Sequence, residues 1–77
     1  MNEDALEAML LAAHAADDRA SLAKGYAQAA DFAEMAGEVD RACFFLTQAW
    51  IFALDVGAAE ADALKARLVA HGREVDA

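Results

Sequence analysis

The sequence predicts a small all-α domain of about four short antiparallel helices. Alanine supplies 23 of the 77 residues, proline is absent, and the four glycines fall largely where helices could end. Alanine has the highest helix propensity because it loses no side-chain entropy in a helix. This composition argues against a β-sheet, and a chain of this length has room for a single domain, residues 1–77.

Residues suited to helix ends divide the chain into four segments. Asn2 can accept a hydrogen bond at a helix start, and Asp17-Asp18 can end one helix and cap the next. Gly37, Gly57 and Gly72 suit the left-handed conformation that follows a helix. Because the connections are short, neighbouring helices should be antiparallel. The predicted helices are residues 3–16, 19–36, 38–56 and 58–71, with residues 73–77 as a frayed tail.

The third predicted helix is apolar on nearly every side. Advancing about 100° per residue places Phe44 and Ile51, one heptad apart, on the arc that should be polar. Thr47 and Gln48 lie between them on the same arc. A helix of this kind is buried on several sides, so we expect Phe44, Thr47, Gln48 and Ile51 to form an interface. The alternative is that helix one or the end of the chain covers them. The predicted core stripe on the other side is Val39, Ala42, Leu46, Ala49, Ala53 and Val56.

The charge balance restricts the classes of partner. Fourteen acidic and six basic residues give a net charge of −8. Phosphate binding needs clustered Lys and Arg, so we expect no nucleic-acid partner, and an anionic membrane surface would repel the chain. The most apolar run, residues 42–54, is shorter than the roughly 20 residues of a membrane span. The acidic start lacks the positive charge of a signal peptide, and the lone thiol of Cys43 fits a reducing compartment, so we expect a cytoplasmic protein.

The segment from residue 37 to residue 49 has a recognisable spacing of small and large side chains. It reads Gly37-x-Val39-x-x-Ala42-x-x-x-Leu46-x-x-Ala49. This pattern resembles the second helix of a tetratricopeptide repeat, in which a small residue is followed by a large one four positions later and a small one three after that.

The preceding helix matches the first helix of that family only in part. Tyr26 and Ala30 fit, whereas Ala29 and Ala33 stand where the family has larger residues, and Leu54 stands about where it has proline. The resemblance implies a stack of helical hairpins that acts as a scaffold for protein binding. Such arrays usually need three or more repeats, and this chain holds about one and a half, which favours self-association.

Candidate reactive and metal-binding groups are few. His14 and Asp18 lie four residues apart with Asp17 beside them, but no second histidine or cysteine completes a zinc set. Cys43 has no histidine near it in sequence, and an apolar environment would leave its thiol inert. His71 beside Gly72 is expected to interact with the end of its own helix. We therefore expect no metal, no cofactor and no catalysis.

Four acidic residues cluster around the turn between the second and third helices, where we expect them to be solvated. They are Asp31, Glu34, Glu38 and Asp40.

These observations lead to one main functional hypothesis and two others. The first is a non-catalytic adaptor that binds proteins, itself included, as a homodimer through the third helix. The second is an acidic regulatory protein that binds a basic partner protein. A metal-binding or enzymatic role comes third.

Overall fold

The computed structural model describes residues 2–74 and contains four α-helices. They are α1 (Glu3–Ala15), α2 (Arg19–Met35), α3 (Val39–Asp55) and α4 (Glu60–Ala70). The all-α fold is therefore confirmed, and no strand occurs between residues 2 and 74. The first three helices begin and end within one residue of the predicted positions.

Two of the four helices begin with the predicted side-chain caps. The Asn2 side chain accepts a hydrogen bond from the Ala5 N–H at 2.7 Å. Asp18 accepts one from the Ser21 N–H at 3.2 Å and another from the Ser21 hydroxyl at 2.7 Å. These bonds satisfy backbone donors that have no partner inside a helix.

All four helices end with the same backbone motif. The chain turns through a residue with positive φ, and the next N–H donates to the carbonyl five residues earlier, as in the Schellman motif. The three glycines assigned to helix ends occupy this position, and Asp17 occupies it after α1 with φ of 52°. The four closing bonds, each 2.9 Å, are Asp18 to Ala13, Glu38 to Ala33, Ala58 to Ala53 and Arg73 to Leu68.

The fourth helix begins later than predicted. The sequence indicated a start near residue 58, but α4 begins at Glu60. The Ala61 N–H donates to the Ala58 carbonyl, three residues earlier, at 3.2 Å, so a tighter turn precedes the first α-helical turn. Ala59, at the N-cap of α4, has no side chain that can accept a hydrogen bond.

The predicted frayed tail, residues 73–77, lies partly within the described chain. The Arg73 N–H closes the end of α4, and its guanidinium forms an ion pair with Asp40 of α3. Residue 73 is therefore held to the body of the protein, and residues 75–77 lie outside the described residues.

Consecutive helices pack on each other. The α2–α3 pair is the most extensive, α1 packs against α2, and α4 packs against α3. The body measures 34 × 29 × 15 Å. Within residues 2–74, no helix is long and apolar enough to cross a membrane.

Small side chains dominate the core and let the helices approach closely. Nine of the fifteen buried apolar residues are alanines. Gly25 of α2 is buried against α1, and a Cβ added there would lie 2.6 Å from Leu10 Cδ2 and 2.9 Å from Met9 Cε. The glycine in the middle of α2 therefore allows α1 and α2 to approach closely at this point.

The predicted core stripe of α3 is correct in its centre and wrong at its ends. The four middle residues, Ala42, Leu46, Ala49 and Ala53, are fully buried. Val39 and Val56 are more than two-fifths exposed, because each lies at an end of α3, beyond the stretch that its neighbours cover.

Candidate protein interface

The side of α3 that faces away from the core exposes large apolar side chains. We call this surface the α3 outer face; it consists of Phe44, Thr47, Gln48, Ile51 and Leu54. Phe44 is 59%, Ile51 46% and Leu54 56% exposed. Phe44 and Ile51 are therefore accessible, and neither α1 nor the described end of the chain covers them.

The two polar residues between these apolar side chains are partly buried. The Thr47 hydroxyl donates to the Cys43 carbonyl within α3, at 2.8 Å. The hydroxyl hydrogen of Thr47 is therefore used within α3, and its oxygen can still accept a hydrogen bond. Gln48 keeps an amide that both donates and accepts.

The α3 outer face carries little net charge, although the protein as a whole is strongly acidic. Residues 42–54 contain no charged side chain. Asp40 and Asp55 lie near the two ends of the face, and each has an arginine partner from outside α3. Arg73 pairs with Asp40, and Arg19 lies 3.6 Å from Asp55. Most of the −8 net charge therefore lies elsewhere on the molecule.

A row of aromatic rings runs from the α3 outer face towards α1. The Phe44 ring meets Phe45 edge-on at 5.6 Å, and Phe45 stacks on Tyr26 of α2 at 6.1 Å. Tyr26 also stacks on Phe52 at 6.0 Å, and His14 of α1 meets Tyr26 and Phe52 edge-on. Aromatic pairs at such distances contribute about 0.5–1.5 kcal/mol beyond the area they bury.

The role of His14 in this row was not predicted. Its Nε2 shares a hydrogen bond of 2.9 Å with the Tyr26 hydroxyl. The sequence showed only that His14 and Tyr26 lie on adjacent predicted helices. It did not show which sides of the two helices face each other.

The prediction that the acidic turn is solvated is correct for Glu38 and Asp40, which are exposed, and wrong for Asp31 and Glu34, which are partly buried. Arg67 of α4 pairs with both Asp31, at 2.7 Å, and Glu34. The Nε2–H of His71 donates to the other oxygen of Glu34 at 2.7 Å. The sequence placed the carboxylates together correctly but gave no indication that the end of α4 lies against them. We call Asp31, Glu34, Arg67 and His71 the α2–α4 ion-pair cluster.

The cluster shifts the pKa of two of its members, Glu34 and Arg67. Hydrogen bonds from His71 and from Arg67 lower the pKa of Glu34, and their effect exceeds the opposing effect of desolvation. The carboxylates of Glu34 and Asp31 raise the pKa of Arg67 against its own burial. The folded protein therefore favours the ionised forms of Glu34 and Arg67, as a structural ion-pair network does.

The residues considered for a metal site have other partners. His14 contacts Tyr26, Asp18 caps α2, and Asp17 lies 3.4 Å from the Arg19 Nε. No group of three or more metal-ligating side chains occurs between residues 2 and 74. Cys43 is buried in a core cluster that includes residues of α4.

Comparison with protein-family models, with curated proteins and with solved structures found no match. The resemblance to a tetratricopeptide repeat therefore rests on the residues of this chain alone.

Proposed function

We propose that this protein is a protein–protein interaction module that associates with a second copy of itself through the α3 outer face. The observation that carries the proposal is the exposure of Phe44 and Ile51 on a side of α3 that no other helix covers. Full burial of such a side chain is worth about 1.5–3 kcal/mol, so leaving these residues exposed is unfavourable for an isolated domain.

The distribution of charge supports a second copy as the occupant. Two chains of net charge −8 repel each other unless they meet at a nearly neutral surface. The α3 outer face is uncharged between residues 42 and 54, and arginines offset the carboxylates at its two ends. Association through this face therefore avoids placing unpaired carboxylates opposite one another.

The face is also suited to two-fold symmetry. In a symmetric dimer the same surface is used by both subunits, so it must be complementary to itself. If two α3 helices pack antiparallel about a point between Thr47 and Gln48, Phe44 of each copy lies opposite Ile51 of the other. The amide of Gln48 then lies near the axis, where it can pair with its counterpart.

The expected dimer is a weak one. Phe44 and Ile51 are already about half buried, so four such side chains supply about 3–6 kcal/mol. Association costs an estimated 4–15 kcal/mol in lost translational and rotational freedom. Leu54 and the surrounding contacts must therefore contribute, and the dimer should dissociate on dilution.

Native mass across a range of concentrations tests this proposal. Light scattering should give about twice the chain mass of 8.1 kDa at high concentration, falling towards one chain on dilution. The double variant Phe44→Glu with Ile51→Glu should remain helical by circular dichroism and monomeric at all concentrations. Leu11→Glu with Met35→Glu is the matched control, because it also replaces two exposed apolar residues and should remain a dimer.

Two outcomes would contradict the proposal. The first is a wild-type protein that is monomeric at every concentration. The second is a folded Phe44→Glu, Ile51→Glu variant that still forms dimers. A double variant that fails to fold would be replaced by Phe44→Ser with Ile51→Ser, which removes the apolar contact without adding charge.

A further inference from the structure

A groove lies between α1 and α3, with α2 as its floor. Its volume is about 300 Å³. Apolar side chains from all three helices line it, and acidic side chains from α1 and α3 line it as well. The lining residues that matter most here are Leu10, Phe32, Phe45, Glu3, Glu7 and Glu38.

The α1 side of this groove carries negative charge that no ion pair within residues 2–74 balances. Glu3 and Glu7 have no ion-pair partner within residues 2–74, and residues 2–18 include no lysine or arginine. The one basic residue in the lining, Arg41, lies 3.5 Å from Glu38 and 5.5 Å above the Phe45 ring. The groove therefore presents net negative charge beside an apolar floor.

The spacing of the charges fits a helix. Glu3 and Glu7 are four residues apart on α1, so their side chains lie on the same face, about 6 Å apart along the axis. Lysine or arginine at the same spacing on a second helix would lie opposite them. A groove between two helices also admits the apolar side of an amphipathic helix, whose anchors repeat every three to four residues.

The charge also distinguishes between possible occupants. A second copy of this chain brings a net charge of −8. Each of its four arginines already has an acidic partner within residues 2–74. Its two lysines, Lys24 and Lys65, lie on different helices, so it has no helix with paired basic side chains to place opposite Glu3 and Glu7, whereas a basic helix from another protein does.

We propose that the groove between α1 and α3 binds a basic amphipathic helix of a partner protein. The apolar side of that helix lies on Leu10, Phe32 and Phe45, and its lysine or arginine side chains pair with Glu3 and Glu7. This site is separate from the α3 outer face and does not depend on self-association.

A designed peptide provides the probe. We would use a labelled helix of about 14 residues, four turns, with leucine at every third or fourth position and lysine pairs four apart on its flank. A peptide of the same composition with the leucines scattered around the helix is its control. Fluorescence anisotropy should show at least about tenfold tighter binding of the patterned peptide, because only it can place an apolar stripe in the groove.

Paired variants of the protein separate the groove from general charge attraction. Glu3→Gln with Glu7→Gln should weaken binding of the patterned peptide about tenfold or more. Glu60→Gln with Asp62→Asn removes the same charge from the first turn of α4, outside the groove, and should change affinity less than about twofold.

For a second pair of variants we expect the opposite effect, an increase in affinity for the patterned peptide. Arg41→Gln removes the only basic residue of the groove lining and should tighten binding, whereas Lys65→Gln on α4 should have a smaller effect. The proposal is overturned if both acidic pairs weaken binding equally, if the two peptides bind alike, or if the patterned peptide does not bind. All variants would first be checked for an unchanged circular dichroism spectrum.

Discussion

Single residues in the left-handed conformation determine where the helices of this protein end. Gly37 has φ of 75°, and no atom lies within 4 Å of the position that a Cβ would take. Asp17 occupies the equivalent position after α1, although only glycine adopts this conformation without a steric penalty. Local chemistry alone fixes these positions, which is why the helix ends could be predicted from the sequence to within a residue or two.

The steric penalty of the left-handed conformation can be measured at both Gly37 and Asp17. Gly37→Ala should lower the free energy of unfolding by about 1–2 kcal/mol, because the added methyl group meets no neighbour and only the backbone is strained. Asp17→Gly should raise it by up to about 1 kcal/mol, reduced by the loss of an exposed ion pair with Arg19. Urea denaturation measures both. A Gly37→Ala variant as stable as the wild type would show that the left-handed turn does not carry this cost.

At the scale of elements, α1 is attached to the rest of the protein mainly through α2. The close contact is at Gly25, where Leu10 and Met9 occupy the space that a side chain would need. The hydrogen bond between His14 and Tyr26 holds the other end of α1. Because α1 also forms one wall of the acidic groove, its attachment determines whether that groove exists.

Enlarging residue 25 should therefore weaken the packing of α1 on α2. Valine has a higher helix propensity than glycine, so propensity alone predicts that Gly25→Val stabilises α2. We expect the opposite, a loss of about 1–3 kcal/mol, because the branched side chain would overlap Leu10. The exposed Ala20→Val, near the start of the same helix, is the control and should change stability by less than about 1 kcal/mol. Thermal or urea unfolding that shows Gly25→Val to be no less stable than wild type would contradict this account.

At the scale of the whole molecule, α4 is held against α2 and α3 by side-chain contacts between residues far apart in the sequence. The hydrogen bonds from Arg67 and His71 to Glu34 join residues 33 and 37 apart, and the bond from Arg73 to Asp40 spans 33. The sequence could indicate that Phe44 and Ile51 lie away from the core, because their positions around the helix axis depend only on their spacing within a single helix. It could not indicate these ion pairs, because they depend on how α4 lies across α2 and α3.

The α2–α4 ion-pair cluster should make stability depend on pH. The pKa of Glu34 is lowered in the fold from its ordinary value of 4.5, so the stability it contributes is present above pH 4.5 and is lost as the pH falls through the lowered value. Glu34→Gln should therefore be less stable than wild type at pH 7, and the difference should shrink steadily below pH 4.5.

Urea denaturation at a series of pH values measures that difference. Arg67 and His71 contact Glu34, and Asp31 shares the Arg67 guanidinium with it. Glu60→Gln is the control, because Glu60 has no ion-pair partner in the described part of the chain. A wild-type advantage over Glu34→Gln that is constant from pH 7 to pH 3 would exclude the role assigned to this carboxylate.

Because Cys43 is buried, its reactivity can be used to measure how often the protein opens. It is the only thiol of the chain, it is 4% exposed, and it belongs to the same core cluster as Leu64 and Leu68 of α4. A reagent that modifies thiols can reach it only when the helices around the core separate or the whole domain unfolds. The rate of modification therefore reports how often the native protein opens in ordinary buffer, with no denaturant and no engineered cysteine.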